Sequence, residues 1–133
     1  MSVTLFSVDR VPVKRRPRFS HGVAYVDAKT KADEKAVRDA YHGIKHEGAV
    51  SVEIHVYGKL PKSRPKRIES EPNTVKPDAD NIAKAVLDGL NGVAFEDDSQ
   101  VTELTVIKHD RRRDSANYIL CCIKPAASKE GEK

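Results

Sequence analysis

Residues 76–108 read KPDADNIAKAVLDGLNGVAFEDDSQVTELTVIK, and the rest of the chain is arranged around this stretch. In its first half, apolar residues recur at steps of three or four, which predicts a helix with one buried face. The predicted apolar stripe is Ile82, Val86, Leu87 and Leu90. Residues 101–107 then predict a β-strand.

Carboxylates gather around this predicted helix. Asp78 and Asp80 stand at its start, and the pair Asp97–Asp98 follows in the next loop. Pro77 and a capping Asp predict a non-helical segment up to Asn81. Because side chains two apart in an extended segment point the same way, we expect Asp78 and Asp80 to converge. At a helix N-terminus the helix dipole favours their ionised form.

Converging carboxylates predict a divalent-metal site. Mg²⁺ takes oxygen ligands, usually one or two carboxylates together with water and substrate phosphate. Asp97 or Asp98 would add a third carboxylate, and Lys84 lies one turn into the helix, where it can neutralise developing charge. Such a site would activate water for in-line attack on a phosphodiester. A purely structural role stays open, because Asp80 could serve only as a helix cap and Asp97–Asp98 as an acidic turn.

The net charge of +4 is unevenly distributed. Two basic, proline-containing segments, residues 10–18 and 59–67, accompany the acidic stretch, which suits a polyanion held by both segments. A solvated basic loop is the alternative for each segment. The residues predicted to bind DNA phosphates are Lys14, Arg15, Arg16, Arg18, Lys62, Arg64, Lys66, Arg67 and Lys76.

The 133 residues predict one α+β domain with a mixed β-sheet and two main helices, in the order β-β-α-β-α-β-β. We expect this domain to span residues 1–124, with a frayed tail at 125–133. The first helix is expected at 30–45, capped by Thr30. Strands are expected at 2–8, 23–26, 50–57, 101–107 and 117–124, and the first and last of these have apolar residues on both faces.

Several classes of protein are disfavoured. No apolar run is long enough to cross a membrane and no signal peptide is apparent, so a cytoplasmic location is expected. A GxxxxGK[ST] motif is absent, which argues against a nucleotide cofactor. The adjacent Cys121 and Cys122 would point to opposite faces of a strand, and we expect both to be reduced.

The combination KPDADNIAKAVLDGL, then FEDDSQV, then a strand ending in Lys108, resembles the RusA family of Holliday-junction resolvases. The basic segments VPVKRRPRFS and LPKSRPKR are similar to basic segments of that family, so the resemblance covers nearly the whole chain. The resemblance implies a homodimer that binds four-way junctions by shape. It also implies paired symmetric nicks made with Mg²⁺ or Mn²⁺, in a protein of phage or prophage origin.

The resemblance also implies roles for individual residues. Asp78, Asp80 and one acid of the DD pair would be the metal ligands, and Asp98 is favoured over Asp97. Lys84 would be the essential lysine. Two other functions remain open: a non-catalytic protein that binds junctions, and a metal-dependent nuclease that acts on other branched nucleic acids or RNA.

Overall fold

A computed structural model describes residues 2–127 of the chain. The strands are β1 (Thr4–Val8), β2 (Arg18–Ser20), β3 (Val23–Tyr25), β4 (Val50–Tyr57), β5 (Ser70–Glu71), β6 (Val101–Lys108), β7 (Arg111–Arg112) and β8 (Tyr118–Pro125). The helices are α1 (Ala28–Ala40) and α2 (Ala79–Leu90), with a short 3₁₀ turn at Asp98–Gln100. Most of the predicted tail, residues 128–133, lies outside the described residues.

Four strands form the main sheet, in the order β1-β8-β4-β6. Strands β4 and β6 are parallel, whereas β8 is antiparallel to both β1 and β4. This mixed sheet and the two helices confirm the predicted α+β class. Two-residue strands β5 and β7 pair separately, and they are too short to be predicted from alternation.

One face of the sheet holds the core. Buried residues alternate along β1, β4 and β8, with Val52, Ile54 and Ile123 fully buried on the helix-covered side. The apolar residues noted on the second faces of β1 and β8 are not fully buried: Leu5 is exposed and Cys122 is only partly buried. The helices cover a single face, so apolar residues on the other face remain accessible to solvent.

Helix α1 begins and ends earlier than predicted. Asp27 rather than Thr30 caps it, accepting a 2.7 Å hydrogen bond from the backbone nitrogen of Lys29. The helix stops at Ala40, and the following chain packs closely on β1. A Cβ atom at Gly43 would lie 2.1 Å from Oγ1 of Thr4, so this close approach requires glycine.

Helix α2 matches the predicted stripe closely. Ile82, Val86 and Leu90 are fully buried, and Leu87 is partly buried against the same core. The two helices pack tightly at Gly89, where a Cβ atom would lie 2.7 Å from Cβ of Val37. The absence of a side chain at Gly89 therefore sets the distance between the helices.

The basic segment near the N-terminus ends in a β-hairpin. Strands β2 and β3 pair antiparallel around a turn at His21 and Gly22, whose φ angles are 52° and 77°. Positive φ at both central residues is typical of tight two-residue hairpin turns. The predicted strand at 23–26 therefore pairs with residues 18–20 and not with the main sheet.

Cys121 and Cys122 are both free, as predicted. Burial raises the pKa of the Cys121 thiol to about 12, so this side chain stays protonated within the core. Among residues 2–127, no helix is long and apolar enough to span a membrane.

Candidate functional site

Asp78 and Asp80 both lie at the N-terminus of α2. Asp78 is the N-cap residue, with an extended backbone (φ −71°, ψ 152°) and a carboxylate that makes no capping hydrogen bond. Asp80 lies inside the first helical turn, so the predicted non-helical segment up to Asn81 is two residues too long. Asp78 and not Asp80 occupies the cap position, so the two acids do not both lie in extended backbone, and the premise on which their convergence was predicted is wrong. Both carboxylates are exposed and available to a ligand.

Lys84 lies one turn further along α2, four residues after Asp80, and is exposed. Residues four apart share a helix face, so the ammonium group and the carboxylate of Asp80 are neighbours on one surface. Within residues 2–127, no salt bridge involves Lys84. The side chain is therefore accessible to a ligand on this surface.

Lys108 fixes the chain that leads into α2. Its Nζ atom donates hydrogen bonds of 2.6 Å to the carbonyl oxygen of Val75 and 3.0 Å to that of Pro77. The Lys76–Pro77 peptide bond is cis. The end of β6 thus holds the residues just ahead of Asp78, a role for Lys108 that its place in the sequence does not predict.

A cationic cleft opens beside this segment. It has a volume of about 220 Å³ and contains no acidic residue in its lining. Its basic lining residues are Lys59, Lys76, Lys108 and Arg111, and its aliphatic lining residues are Val11, Val56, Val75 and Ile82. Pro77 also lines the cleft, and Asp78 is the next residue in the chain, so Asp78 lies beside the cleft.

Gln100 positions the acidic loop. Its Oε1 atom accepts hydrogen bonds from the backbone nitrogens of Glu96 (2.8 Å) and Asp97 (3.3 Å). Its Nε2 atom donates to the carbonyl oxygens of His46 (3.0 Å) and Gly48 (2.9 Å). The glutamine of the DDSQV sequence therefore ties this loop to the chain just before β4.

The two acids of the DD pair have different environments. Asp97 accepts a 3.1 Å hydrogen bond from the backbone nitrogen of Ser99, and hydrogen bonds from Ser99 hold the pKa of Asp97 below its usual value. Asp98 is exposed, and its carboxylate makes no hydrogen bond within the described part of the chain. Both acids are exposed, and the carboxylate of Asp97, unlike that of Asp98, is engaged within the loop.

The structure does not bring the DD pair to Asp78 and Asp80 within one chain. The start of α2 lies by Lys108, at the end of β6, whereas Asp97 and Asp98 immediately precede the start of β6. An eight-residue strand spans roughly 23 Å, so the two acidic sites are separated by about that length. Accordingly, no group of three potential ligands occurs among residues 2–127.

The predicted basic segment at 10–18 is ordered against the helices. Lys14 pairs with Asp88 at 2.9 Å, Arg15 with Asp33 at 3.0 Å, and Arg18 with Asp27 at 2.7 Å. The hydrogen bond with Asp88 is the main reason why the pKa of Lys14 is raised. Arg16, by contrast, is exposed and forms no ion pair within residues 2–127.

The second basic segment is folded and not a free loop. Glu71 receives two 3.1 Å hydrogen bonds from Arg64 and one of 2.6 Å from Arg111, and these contacts, led by that from Arg111, lower the pKa of Glu71. Arg113 donates to the carbonyl oxygens of Pro65 and Ile68. The exposed basic residues Lys62, Lys66 and Arg67 are therefore presented by a fixed segment. Arg111 and Arg113, which make these contacts, belong to the run of three arginines at 111–113 in the sequence.

Exposed carboxylates at a helix N-terminus, next to a cationic cleft, are the arrangement expected of a protein that acts on a polyanion. The chain belongs to the RusA family: residues 10–119 match the family described as Endodeoxyribonuclease RusA. This family consists of nucleases of branched DNA that generally depend on a divalent metal, and membership supports a nuclease function for this chain.

One curated relative is also similar. The uncharacterized protein YqaN of Bacillus subtilis (strain 168) is 42% identical over 69 residues, an alignment that covers 46% of this chain and 49% of YqaN. The matched part thus spans about half the length of that relative.

Proposed function

We propose that this chain is a divalent-metal-dependent endonuclease that resolves Holliday junctions by paired symmetric nicks. The observation that carries the proposal is the pair Asp78 and Asp80, exposed at the N-terminus of α2 beside a cationic cleft. Membership of the RusA family supports it.

Asp78 and Asp80 would hold the metal. Mg²⁺ needs only one or two carboxylates when water and a substrate phosphate complete its shell, so these residues fit, and Mn²⁺ would serve as a substitute. When bound, the metal would lower the pKa of a water molecule and polarise the scissile phosphate.

Lys84 would stabilise charge that develops on the phosphate as the bond breaks. Its place on the helix face shared with Asp80 supports this role, because a phosphate bound by Asp80 through the metal would lie within reach of the ammonium group. The exposed basic residues Arg16, Lys62, Lys66, Arg67 and Lys76 would hold the junction arms by their phosphates.

We also propose that the third carboxylate, Asp98, comes from a second copy of the chain. Strand β6 lies at an edge of the main sheet and leaves one side unpaired, with Leu104 46% and Ile107 40% exposed. Exposed edges of this kind pair readily with another strand. Antiparallel pairing of two β6 strands would place the start of one beside the end of the other, which brings Asp98 of each copy towards Asp78 and Asp80 of the other.

This arrangement has a consequence for the reaction. A two-fold axis through the paired strands would generate two identical sites, and each site would be complete only in the dimer. Two equivalent sites related by a two-fold axis match the symmetry of a four-way junction. Paired nicks in strands of like polarity would follow from that symmetry.

The experiment that tests the function is nicking of a synthetic four-way junction with Mg²⁺ and with EDTA. We expect symmetric nicks only with Mg²⁺. The Asp80→Asn variant should bind the junction with unchanged affinity and fail to nick it, because the carboxylate serves the reaction and not DNA contact. Asp39→Asn, which removes an exposed acid from α1, is the matched control and should nick normally.

Other outcomes would contradict the proposal. Normal nicking by Asp80→Asn in Mg²⁺ would exclude this site, and binding without any nicking by the unmodified protein would indicate a junction-binding protein. Faster cleavage of flaps, single strands or RNA than of four-way junctions would indicate a nuclease for other branched or RNA substrates.

A further inference from the structure

Two buried polar atoms have no partner in the wall of the cationic cleft. Nε of Arg111 and Oδ1 of Asn73 are inaccessible to solvent and have no hydrogen-bond partner among the described residues. Buried polar atoms in folded proteins nearly always have partners. Both residues line the cleft beside the start of α2. The Nε–H group of Arg111 is a donor that an acceptor entering the cleft would satisfy, whereas Oδ1 of Asn73 is itself an acceptor and does not argue for an anion.

The charges around the cleft favour an anion. Lys59, Lys76, Lys108 and Arg111 line it, and one neighbouring carboxylate, Glu71, binds Arg111 from outside the lining. Lys108 and Arg111 are held in place by their contacts with backbone carbonyls and Glu71, whereas Lys59 and Lys76 are exposed. The cleft therefore combines two fixed cationic groups with two that can adjust to a ligand.

The apolar floor limits what the cleft can admit. Val56 and Ile82 are almost fully buried beneath the basic rim. Charge pairs and hydrogen bonds over such a floor are less screened than in water, which strengthens binding of an anion that fits. A phosphate group has the required charge, and it has oxygens that can accept from Arg111 and from the exposed lysines Lys59 and Lys76.

We propose that this cleft binds a backbone phosphate of the cleaved strand, adjacent to the scissile phosphate, and so fixes that strand beside Asp78 and Asp80. The inference rests on the proposed nuclease function for the identity of the strand, but binding of phosphate to the cleft can be tested without cleavage. Lys108 and Arg111 lie outside the basic segments identified in the sequence, and Lys59 is not among the residues predicted there to bind phosphates.

The first test is a nuclear magnetic resonance titration of the full chain with inorganic phosphate. The Nε–H signal of Arg111 should shift in a saturable way, because a phosphate oxygen supplies its missing acceptor. The double variant Lys59→Gln/Lys76→Gln should weaken phosphate binding by about tenfold for each charge-assisted hydrogen bond that it removes. Lys31→Gln/Lys35→Gln removes the same charge from the exposed surface of α1, outside the cleft, and should leave the shift unchanged.

An unchanged Arg111 signal would overturn the inference, as would equal weakening by both double variants.

The second test replaces single phosphates beside the scissile one with neutral methylphosphonates. One such position should slow nicking by the unmodified protein and have little further effect on Lys59→Gln/Lys76→Gln. Sensitivity of both proteins to the same extent would contradict the assignment. If the unmodified protein nicks no junction, the proposed function is wrong. The titration alone then tests whether the cleft binds phosphate.

Discussion

At the scale of residues, charge in this chain is divided between groups that build the fold and groups left for a ligand. Lys14, Arg15 and Arg18 were all predicted to bind phosphates, yet each is held by a carboxylate of α1 or α2 or of the α1 cap. Arg16 lies in the same run and has no such partner within residues 2–127. Neighbours in a basic run thus differ in how freely they can contact DNA.

This difference gives a prediction for DNA binding. Arg16→Gln should weaken binding to junctions and duplexes alike, and it should reduce the slope of log affinity against log salt by about 1, as expected when one phosphate is no longer neutralised. Arg15→Gln should change the salt slope less and lower thermal stability more, because it breaks the ion pair with the buried Asp33. Binding assays at several salt concentrations, with melting curves, measure both effects.

Equal changes in salt slope for Arg15→Gln and Arg16→Gln would contradict this division. Such a result would mean that Arg15 leaves Asp33 when DNA binds. The conservative variant Arg16→Lys is the control, since it keeps the charge and should retain nearly the full slope.

At the scale of elements, the position of α2 depends on its contact with α1. Gly89 lies against Val37 and the carbonyl oxygen of Glu34, at distances of 2.7 and 2.8 Å from a hypothetical Cβ atom. The carbonyl belongs to helical backbone and cannot move aside easily. The contact therefore fixes the helix that carries Asp78, Asp80 and Lys84.

We expect Gly89→Ala to destabilise the fold. Alanine improves helix propensity by about 1 kcal/mol, but overpacking a tight interior contact costs about 1–3 kcal/mol. The clash should prevail because backbone forms one side of it, so the free energy of unfolding should fall by about 1 kcal/mol. Urea denaturation measures this change.

Gly48→Ala is the matched control, because a Cβ atom there meets nothing within 4 Å. Its unfolding free energy should stay within about 0.5 kcal/mol of the unmodified value. An increase in stability for Gly89→Ala would show that the helices can move apart at small cost.

At the scale of the whole molecule, the two acidic sites lie at opposite ends of β6. A metal site with three carboxylates therefore requires two copies, whereas a site with two carboxylates does not. Pairing of the exposed β6 edges would combine the sites, and mixed dimers of two inactive variants can test this arrangement.

Asp80→Asn and Asp98→Asn should each be inactive alone. A co-expressed mixture should regain nicking, because each mixed dimer has one site with all its carboxylates. Random assortment makes about half of the dimers mixed, each with one intact site of two, so about a quarter of the sites should be active. Nicks should fall in one strand per junction, which a supercoiled cruciform plasmid assay distinguishes from paired nicks.

Persistent inactivity of the mixture, with the dimer verified by light scattering, would show that Asp98 does not act across the interface. A mixture of Asp78→Asn and Asp80→Asn is the control. Asp78 and Asp80 would serve the same site, so both sites of every dimer lack one of these carboxylates, and this mixture should stay inactive.

The sequence by itself determined the α+β class, the main strands, the stripe of α2 and membership of the RusA family, because periodic burial and a specific motif are local properties. It also placed Asp78, Asp80 and Lys84 at the start of one helix. Tertiary structure decided which basic residues are already paired, since ion pairs such as that of Lys14 with Asp88 join positions far apart in sequence. It also decided that Asp98 lies away from Asp78, because the start of α2 is held at the end of β6 while Asp98 immediately precedes the start of that strand.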